Sequence, residues 1–263
     1  MHDDVKLLYT ECFEIVKKNT KITKSLFDKD SLNYREKLWY NISPAFYVIG
    51  SKKTKSFFDE VAKKQGFKKL LSYITPNKNA FVKNIFKDNP KMERLQWWVN
   101  FVNPEQEKNM GCHFSHVLAA MDMIDNNYTH AFIFEDDCQF KYDVTDNFLS
   151  KFGKYINENI DNVPFLNLGS SSSFHKEYEN YKITKSPSSL THSYIMNLEC
   201  AKKLVDSINL DIVKPDPVNY QFNREQFYRA GADDFFFSFI ESYVMNPAIT
   251  FQQYIGTNQE RMT

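Results

Sequence analysis

Long apolar runs and an excess of charge are both missing from this sequence. No stretch approaches the roughly 18 consecutive apolar residues of a membrane-spanning helix, and the first residues show no signal-peptide pattern. The 33 basic residues are balanced by 33 acidic ones, so no net charge attracts nucleic acid or an anionic membrane. We therefore expect a cytoplasmic protein with no membrane span and no nucleic-acid partner.

Cysteine is also scarce. The four cysteines, Cys12, Cys112, Cys138 and Cys200, include no C-x-x-C pair, which favours reduced, buried thiols over a disulfide framework. Aromatic residues are abundant instead, at 16% of the 263 residues, with 24 phenylalanines. A chain of this length and composition can bury a large core in one α/β domain, with or without an appended segment.

The chain is organised around an apolar run that leads directly into three carboxylates. Residues 131–134, Ala-Phe-Ile-Phe, predict a strand buried on both faces, and hence a sheet covered by helices on each side. Ligands of open α/β sheets bind beyond the carboxyl ends of the strands, where Glu135, Asp136 and Asp137 fall. The sequence therefore predicts a binding site at the end of this strand.

Adjacent carboxylates repel one another by roughly 4 kcal/mol at about 4 Å near a protein surface, so this strand end favours a bound cation. Ligands that are all oxygen select a hard ion. We predict that Asp137, assisted by Asp136 or Glu135, binds Mn²⁺ or Mg²⁺. An acidic turn without an ion is the simpler alternative.

A second motif, Gly-Cys-His-Phe-Ser-His at residues 111–116, precedes the acidic strand. Apolar residues follow it at helical spacing, and the turn cluster at residues 125–127 is expected to end the helix. Cys112 and His116, four residues apart, or His113 and His116, three apart, could alternatively hold zinc with Cys138 or an acidic residue, and tight zinc would favour a hydrolase. A buried cysteine and a hydrogen-bonded histidine are the ordinary alternative.

The chain is expected to divide near residue 43. Apolar residues between Val5 and Val16 recur at helical spacing, and they predict a helix that packs on the rest of the chain or on a second subunit. We expect an N-terminal helical extension over residues 1–43 and one α/β domain over residues 44–263. A homodimer stays open.

The α/β domain begins with a strand, a glycine turn and a helix. Residues 45–49 predict a buried strand, and the helix after Gly50 and Ser51 is expected to stop at Gly66. The first amides of such a helix are free to bind a phosphate or a base carbonyl. Ile49, Gly50 and Ser51 are therefore candidate nucleotide contacts.

The two central motifs together resemble glycosyltransferase family 25, which contains the lipopolysaccharide β-galactosyltransferases and the collagen galactosyltransferases. The family pattern is a Gly-Cys-x-x-Ser-His helix followed by an apolar strand that ends in Glu-Asp-Asp. Blocks at residues 193–196, 200–204, 231–235 and 246–252 also look like those of the family. The resemblance spans roughly residues 45–255.

This resemblance implies a GT-A-like α/β/α sandwich with a mostly parallel central sheet, acting as a metal-dependent inverting hexosyltransferase. The implied donor is a UDP-sugar, with UDP-galactose first and UDP-glucose next. The implied acceptor is a hydroxyl of a glycan, a glycopeptide or a lipid-linked sugar. Gly111, Ser115 and His116 are expected to bind the donor from the start of their helix, where backbone amides are free.

An inverting transfer needs one general base away from the metal. We predict that Asp233 is this base, with Asp234 as the fallback, because the pair stands among apolar residues that raise a carboxylate pKa and matches the family's downstream acidic residue. One of the two could instead only cap a helix. Gly169 and Ser170, in a Gly/Ser-rich stretch after a strand, and Gln252, in the last block, are candidate acceptor contacts.

Two other functions use the same residues and stay open. A metal-dependent phosphohydrolase would release phosphate or nucleotide without needing an acceptor. A non-catalytic nucleotide-sugar-binding relative would keep the fold and show no turnover. Measuring UDP release from UDP-sugars with and without Mn²⁺ would separate these functions.

Overall fold

The structure, a computed structural model, describes most of the chain between residues 13 and 252. The described ranges are 13–14, 16–25, 28–50, 52–75, 104–140, 146–170, 182–186, 191–206 and 240–252.

The described ranges contain both helices and strands. Residues 13–14 and 16–19 are helical. The further helices are α1 (Tyr34–Ile42), α2 (Lys52–Gln65), α3 (Pro104–Asp125), α4 (Asp146–Asn159) and α5 (Leu198–Asp206). The strands are β1 (Lys21–Lys24), β2 (Ala45–Ile49), β3 (Leu71–Thr75), β4 (His130–Glu135), β5 (Cys138–Phe140), β6 (Phe165–Asn167), β7 (Gly169–Ser170), β8 (Lys182–Lys185), β9 (Ser193–Asn197), β10 (Ser242–Asn246) and β11 (Thr250–Gln252).

Eight of these strands form one mixed sheet in the order β1-β3-β2-β4-β9-β6-β10-β8. Strands β3, β2, β4, β6 and β10 run in one direction, and β1, β9 and β8 run in the other. The expected mostly parallel sheet is thus interrupted at its centre, because antiparallel β9 lies between β4 and β6. A smaller sheet joins β5, β11 and β7.

The large sheet separates two hydrophobic cores. Along β4, Ala131 and Ile133 pack into one core, while Phe132 and Phe134 pack into the other. Side chains of α3 and α5 complete the first core, and side chains of α1, α2 and α4 complete the second. The prediction of a strand buried on both faces, within an α/β/α arrangement, is confirmed.

Helix ends follow local sequence signals. In α1 the Asn33 side chain accepts from the Glu36 amide while the Glu36 carboxylate accepts from the Asn33 amide, a reciprocal cap. After α2 the chain reverses at Gly66, whose φ of 73° lies in the left-handed region that glycine adopts without strain, so the predicted stop is confirmed. None of the helices in the described ranges is both long and apolar enough to cross a membrane.

Helix α3 starts earlier than the sequence analysis expects. It begins at Pro104, so the motif at residues 111–116 lies inside the helix. Proline is favoured at the first helical position because its missing amide would have no partner there, and the Glu-Gln-Glu-Lys run at residues 105–108 consists of strong helix formers. The expectation that Gly111, Ser115 and His116 stand at a helix start is therefore wrong.

The two edges of the large sheet have the same sequence. Strands β1 and β8 both read Lys-Ile-Thr-Lys, and both lie antiparallel to their only neighbour in the sheet order. Exposed lysines on a short edge strand discourage pairing with another chain. Within the part of the chain that the structure describes, β1 and β8 have no further neighbour in this sheet, and their lysines discourage pairing at both edges.

Residues from the first forty positions also pack on the sheet. Phe13 and Val16 are buried in the core beneath α3, and the Phe13 ring lies 5.5 Å from the Phe114 ring. Strand β1 pairs with β3, and Trp39 of α1 is fully buried in the second core. The expected boundary near residue 43 stays a prediction, although residues on its N-terminal side share both cores.

Replacing Trp39 by alanine tests this shared packing. Its ring contacts Phe46, Phe67 and Phe132, and its Nε1 donates to the Gln65 carbonyl at 3.2 Å. We expect Trp39→Ala to lower the free energy of unfolding by about 3–5 kcal/mol, measured from urea unfolding. The matched control is Tyr34→Ala in the same helix, where the side chain is 64% exposed and the change should stay within about 0.5 kcal/mol. Equal stability of the two variants would contradict the packing of α1 in the core.

Candidate functional site

The three predicted carboxylates lie at the end of β4, between β2 and β9. Glu135 is the last residue of β4, and Asp136 and Asp137 form the turn into β5. The Glu135 amide donates to the His192 carbonyl at 2.8 Å, and the Asp136 amide donates to the Ile49 carbonyl at 2.9 Å. The acidic turn is thereby fixed to the neighbouring strands on both sides.

Gly50 makes room for Asp136. A β-carbon at Gly50 would lie 1.7 Å from Asp136 Oδ2, so the carboxylate occupies the space that any other side chain would take. Gly50 follows β2 directly, and its amide donates to the Ile74 carbonyl at 3.1 Å. The structure therefore brings two predicted site residues, Gly50 and Asp136, together, with Ile49 beside them.

Asp137 faces the small sheet. Gln252 Nε2 donates to Asp137 Oδ2 at 2.9 Å. Gly169 and Ser170 lie on the same sheet, where they pair with Thr250 and Phe251 of β11. The three residues predicted to contact the acceptor, Gly169, Ser170 and Gln252, are thus neighbours, and Gln252 connects them to the acidic turn.

Glu135 has a different set of partners from those of Asp136 and Asp137. Thr191 Oγ1 donates to Glu135 Oε1 at 2.8 Å, and His116 Nε2 lies 3.2 Å from the same oxygen. Cys112 Sγ lies 3.8 Å from that oxygen. Burial acts to raise the pKa of Glu135, but the hydrogen bonds of His116 and Thr191 and the nearby imidazoles of His116 and His192 outweigh burial, so the pKa lies below its ordinary value. The carboxylate is therefore ionised at neutral pH.

Within the described residues, these contacts form a group of metal-ligand atoms. One ligand atom each from Cys112, His116 and Glu135 lies within 4.8 Å of the others, so the three could hold a metal ion. The group includes neither Asp136 nor Asp137. The ligand set predicted from the sequence, with three carboxylates on one ion, stays a prediction.

His116 and Ser115 are held inside α3. His116 is fully buried, and its Nδ1 lies 2.8 Å from the Tyr194 hydroxyl. Ser115 Oγ donates to the Gly111 carbonyl at 2.7 Å, a bond within the helix and not a cap. At Gly111 a β-carbon would meet no atom of the described residues within 4 Å.

The neighbours of these residues that the sequence analysis missed lie in β9 and directly before it. Thr191 and His192 precede the strand, Tyr194 lies in it, and all three are buried. A β-carbon at Gly169 would lie 1.9 Å from His192 Nε2, so Gly169 makes room for the imidazole as Gly50 does for Asp136. In the sequence these residues stand out only as a polar cluster before an apolar strand. That cluster indicates a site only if the strand is known to lie beside β4 and antiparallel to it.

His113 and Cys138 lie outside this group of metal-ligand atoms. Burial lowers the pKa of His113 to about 3, with a smaller contribution from the nearby His116. This ring is therefore neutral. Burial raises the pKa of the Cys138 thiol, against hydrogen bonds to Thr250 and Ser193. The acidic residue that joins Cys112 and His116 is thus Glu135, and Cys138 is outside the group. Cys112, Cys138 and Cys200 are reduced thiols; Cys138 and Cys200 are buried, as predicted, whereas Cys112 is only partly buried.

Three predicted site residues lie outside the described residues. These are Ser51, predicted to contact the donor, and Asp233 and Asp234, the two candidates for the general base. Their assignments stay predictions.

Substitution of Gly50 tests the close approach of Asp136. Gly50→Ala has to displace the carboxylate or the turn, which we expect to cost about 1–3 kcal/mol of unfolding free energy and to weaken binding of divalent metal. Gly153→Ala is the matched control, because a β-carbon there would lie 3.4 Å from Ile42 Cδ1 and the position is helical. Urea unfolding and metal titration of both proteins give the comparison. A Gly50→Ala protein with wild-type stability and metal affinity would contradict this placement of Asp136.

Comparison with known proteins agrees with the motifs. A family model described as glycosyltransferase family 25 (LPS biosynthesis protein) matches residues 106–218. The matched segment contains most of α3, the acidic turn and β9. No curated protein matches the chain with significant similarity. The resemblance to glycosyltransferase family 25 that the two motifs indicate is thereby confirmed, and the family points to glycosyltransferase activity.

Proposed function

We propose that this protein is a metal-dependent inverting hexosyltransferase with a GT-A-like fold. It transfers a sugar, galactose first and glucose next, from a UDP-sugar to a hydroxyl of a glycan or glycosylated acceptor. The observation that carries the proposal is the position of Asp136 and Asp137 at the carboxyl end of β4, within the segment that matches the family. Ligands of α/β sheets bind at this edge.

The residues at the acidic turn fit a hard divalent cation. Mg²⁺ and ions like it are usually held by one or two carboxylates together with substrate phosphates, and not by a complete cage of protein ligands. Asp137 would supply one carboxylate, and Asp136, fixed over Gly50, the other. Mn²⁺ or Mg²⁺ bound there would neutralise the diphosphate leaving group. Glu135 is engaged with α3 and β9, so Asp136 is the better of the two residues predicted to assist Asp137.

The donor would lie along the end of β2 and the adjacent turn of α3. Ile49 and Gly50 end β2 beside Asp136, and Ser51 follows them in the sequence. Gly111 lies on α3 one helical turn before Ser115 and His116, and no atom of the described residues would contact a β-carbon there. His116 is fully buried and contacts Glu135, so it would act on the donor as a positioning residue.

The acceptor would approach from the small sheet. Gly169, Ser170 and Gln252 lie on β7 and β11, and Gln252 donates to Asp137. An acceptor hydroxyl bound at this sheet would lie near the metal-bound diphosphate. The base that removes its proton is assigned to Asp233, with Asp234 as the fallback, because an inverting reaction needs the base on the face opposite the leaving group.

The proposal is tested by UDP release from UDP-galactose and UDP-glucose, with and without Mn²⁺. A transferase releases UDP in proportion to sugar transferred and depends on an acceptor. A phosphohydrolase would release phosphate or UMP with no acceptor, and a binding protein would release nothing. Metal-independent release, or no release with either donor and a panel of glycan acceptors, would refute the proposal.

Asp137→Asn tests the metal site. The change keeps the size of the side chain but removes the charge, so we expect loss of Mn²⁺-dependent UDP-sugar binding with little change in melting temperature. Isothermal titration calorimetry measures the binding. The control is Asp161→Asn, which removes an exposed carboxylate from the turn after α4. Retention of metal-dependent binding by Asp137→Asn would rule out Asp137 as a ligand.

Separate Asp233→Asn and Asp234→Asn variants test the base. Loss of a general base typically reduces the rate 10²- to 10⁴-fold, and donor binding should be retained because the base contacts the acceptor. Loss of a helix cap instead lowers stability by about 1 kcal/mol and spares turnover. Steady-state transfer rates, donor titrations and unfolding curves distinguish the roles. Near wild-type rates in both variants would show that the base lies elsewhere.

A further inference from the structure

We propose that Cys112, His116 and Glu135 form a zinc site, separate from the acidic turn at Asp136 and Asp137. The three residues come from two elements, since Cys112 and His116 lie one turn apart on α3 and Glu135 ends β4. Their ligand atoms lie within 4.8 Å of one another. The site would join α3 to the central strand of the sheet.

Two of the three distances between the ligand atoms lie near those around a tetrahedral zinc ion. Zinc lies about 2.3 Å from thiolate sulfur and about 2.0–2.2 Å from imidazole nitrogen or carboxylate oxygen, so neighbouring ligand atoms lie roughly 3.3–3.8 Å apart. His116 Nε2 lies 3.2 Å from Glu135 Oε1, and Cys112 Sγ lies 3.8 Å from the same oxygen. The third pair, the Cys112 sulfur and a His116 ring nitrogen, lies within 4.8 Å.

The chemistry of the three ligands selects zinc over the ion expected at the acidic turn. Thiolate and imidazole are ligands of zinc and other borderline metals, whereas Mn²⁺ and Mg²⁺ prefer oxygen. A bound thiolate and carboxylate together carry two negative charges, which a divalent ion balances.

The hydrogen bonds made by the proposed ligands to neighbouring residues are those found around metal sites. A histidine that binds metal usually uses its other ring nitrogen in a hydrogen bond, and ligating carboxylates are themselves hydrogen-bonded. Here His116 Nδ1 lies 2.8 Å from the Tyr194 hydroxyl, and Thr191 Oγ1 donates to Glu135 Oε1 at 2.8 Å. These contacts fix the orientation of two of the three ligands.

The site can be reached from solvent. His116 is fully buried, but the Glu135 side chain is 17% exposed and Cys112 is partly exposed. An ion can therefore enter, and water can fill a fourth coordination position. Three protein ligands are sufficient for a zinc site in which water or substrate takes the fourth position.

The test measures metal in the full-length chain without any donor or acceptor. Protein purified after growth with zinc and dialysed against a mild chelator is analysed by elemental mass spectrometry, and metal-free protein is titrated with Co²⁺. We expect about one zinc per chain and a thiolate-to-cobalt charge-transfer absorption. Cys112→Ser and His116→Ala should each weaken zinc binding by more than the roughly 10- to 100-fold expected for the loss of an outer contact.

Two control variants test whether the bound zinc depends on these three residues. Cys200→Ala removes a buried thiol outside the group and should keep both zinc and the cobalt absorption. Asp137→Asn should keep zinc even if it loses Mn²⁺-dependent donor binding, so failure of one proposal is distinguishable from failure of the other. Circular dichroism verifies the fold of each variant.

Absence of zinc in the wild-type protein, together with no thiolate-to-cobalt absorption, would overturn the proposal. That outcome needs no variant, so it does not depend on whether the substituted proteins fold. Undiminished zinc binding in folded Cys112→Ser and His116→Ala would overturn it as well. The three residues would then be a hydrogen-bonded group that only fixes α3 to β4.

Discussion

The burial of β4 on both faces is the constraint on which the site depends. Side chains alternate along a strand, so Ala131 and Ile133 point into the core under α3, and Phe132 and Phe134 point into the opposite core. Glu135 continues the first series and contacts His116 of α3. Because both cores fix the strand, they also fix the direction in which each carboxylate leaves it.

This alternation explains why the three adjacent carboxylates have different neighbours. Asp136 continues the series of Phe132 and Phe134, and it lies over Gly50. Asp137 follows in the turn and accepts from Gln252. Three adjacent acidic residues therefore present their side chains to three parts of the fold, which lowers the electrostatic repulsion between them.

Much of the fold could be predicted from the sequence, because its signals are local. The apolar run at residues 131–134, the strand at residues 45–49 and the stop at Gly66 all have the expected structure. The start of α3 could not be predicted as easily, since Pro104 precedes polar residues that carry no apolar period. The antiparallel place of β9 could not be predicted either, because sheet order depends on contacts between distant segments.

The candidate site, like the fold, could be predicted from the sequence only in part. Its residues could be named from the motifs, but their grouping could not, because it depends on which elements meet at the end of β4. Thr191 and Tyr194 become part of the site only because β9 pairs with β4 in the register that sets Ile133 beside Tyr194. A shift of that register by one residue would turn Tyr194 away from α3 and leave His116 without its hydroxyl partner. The pairing of β4 with β9 therefore determines the surroundings of Glu135 as firmly as the Glu-Asp-Asp sequence itself.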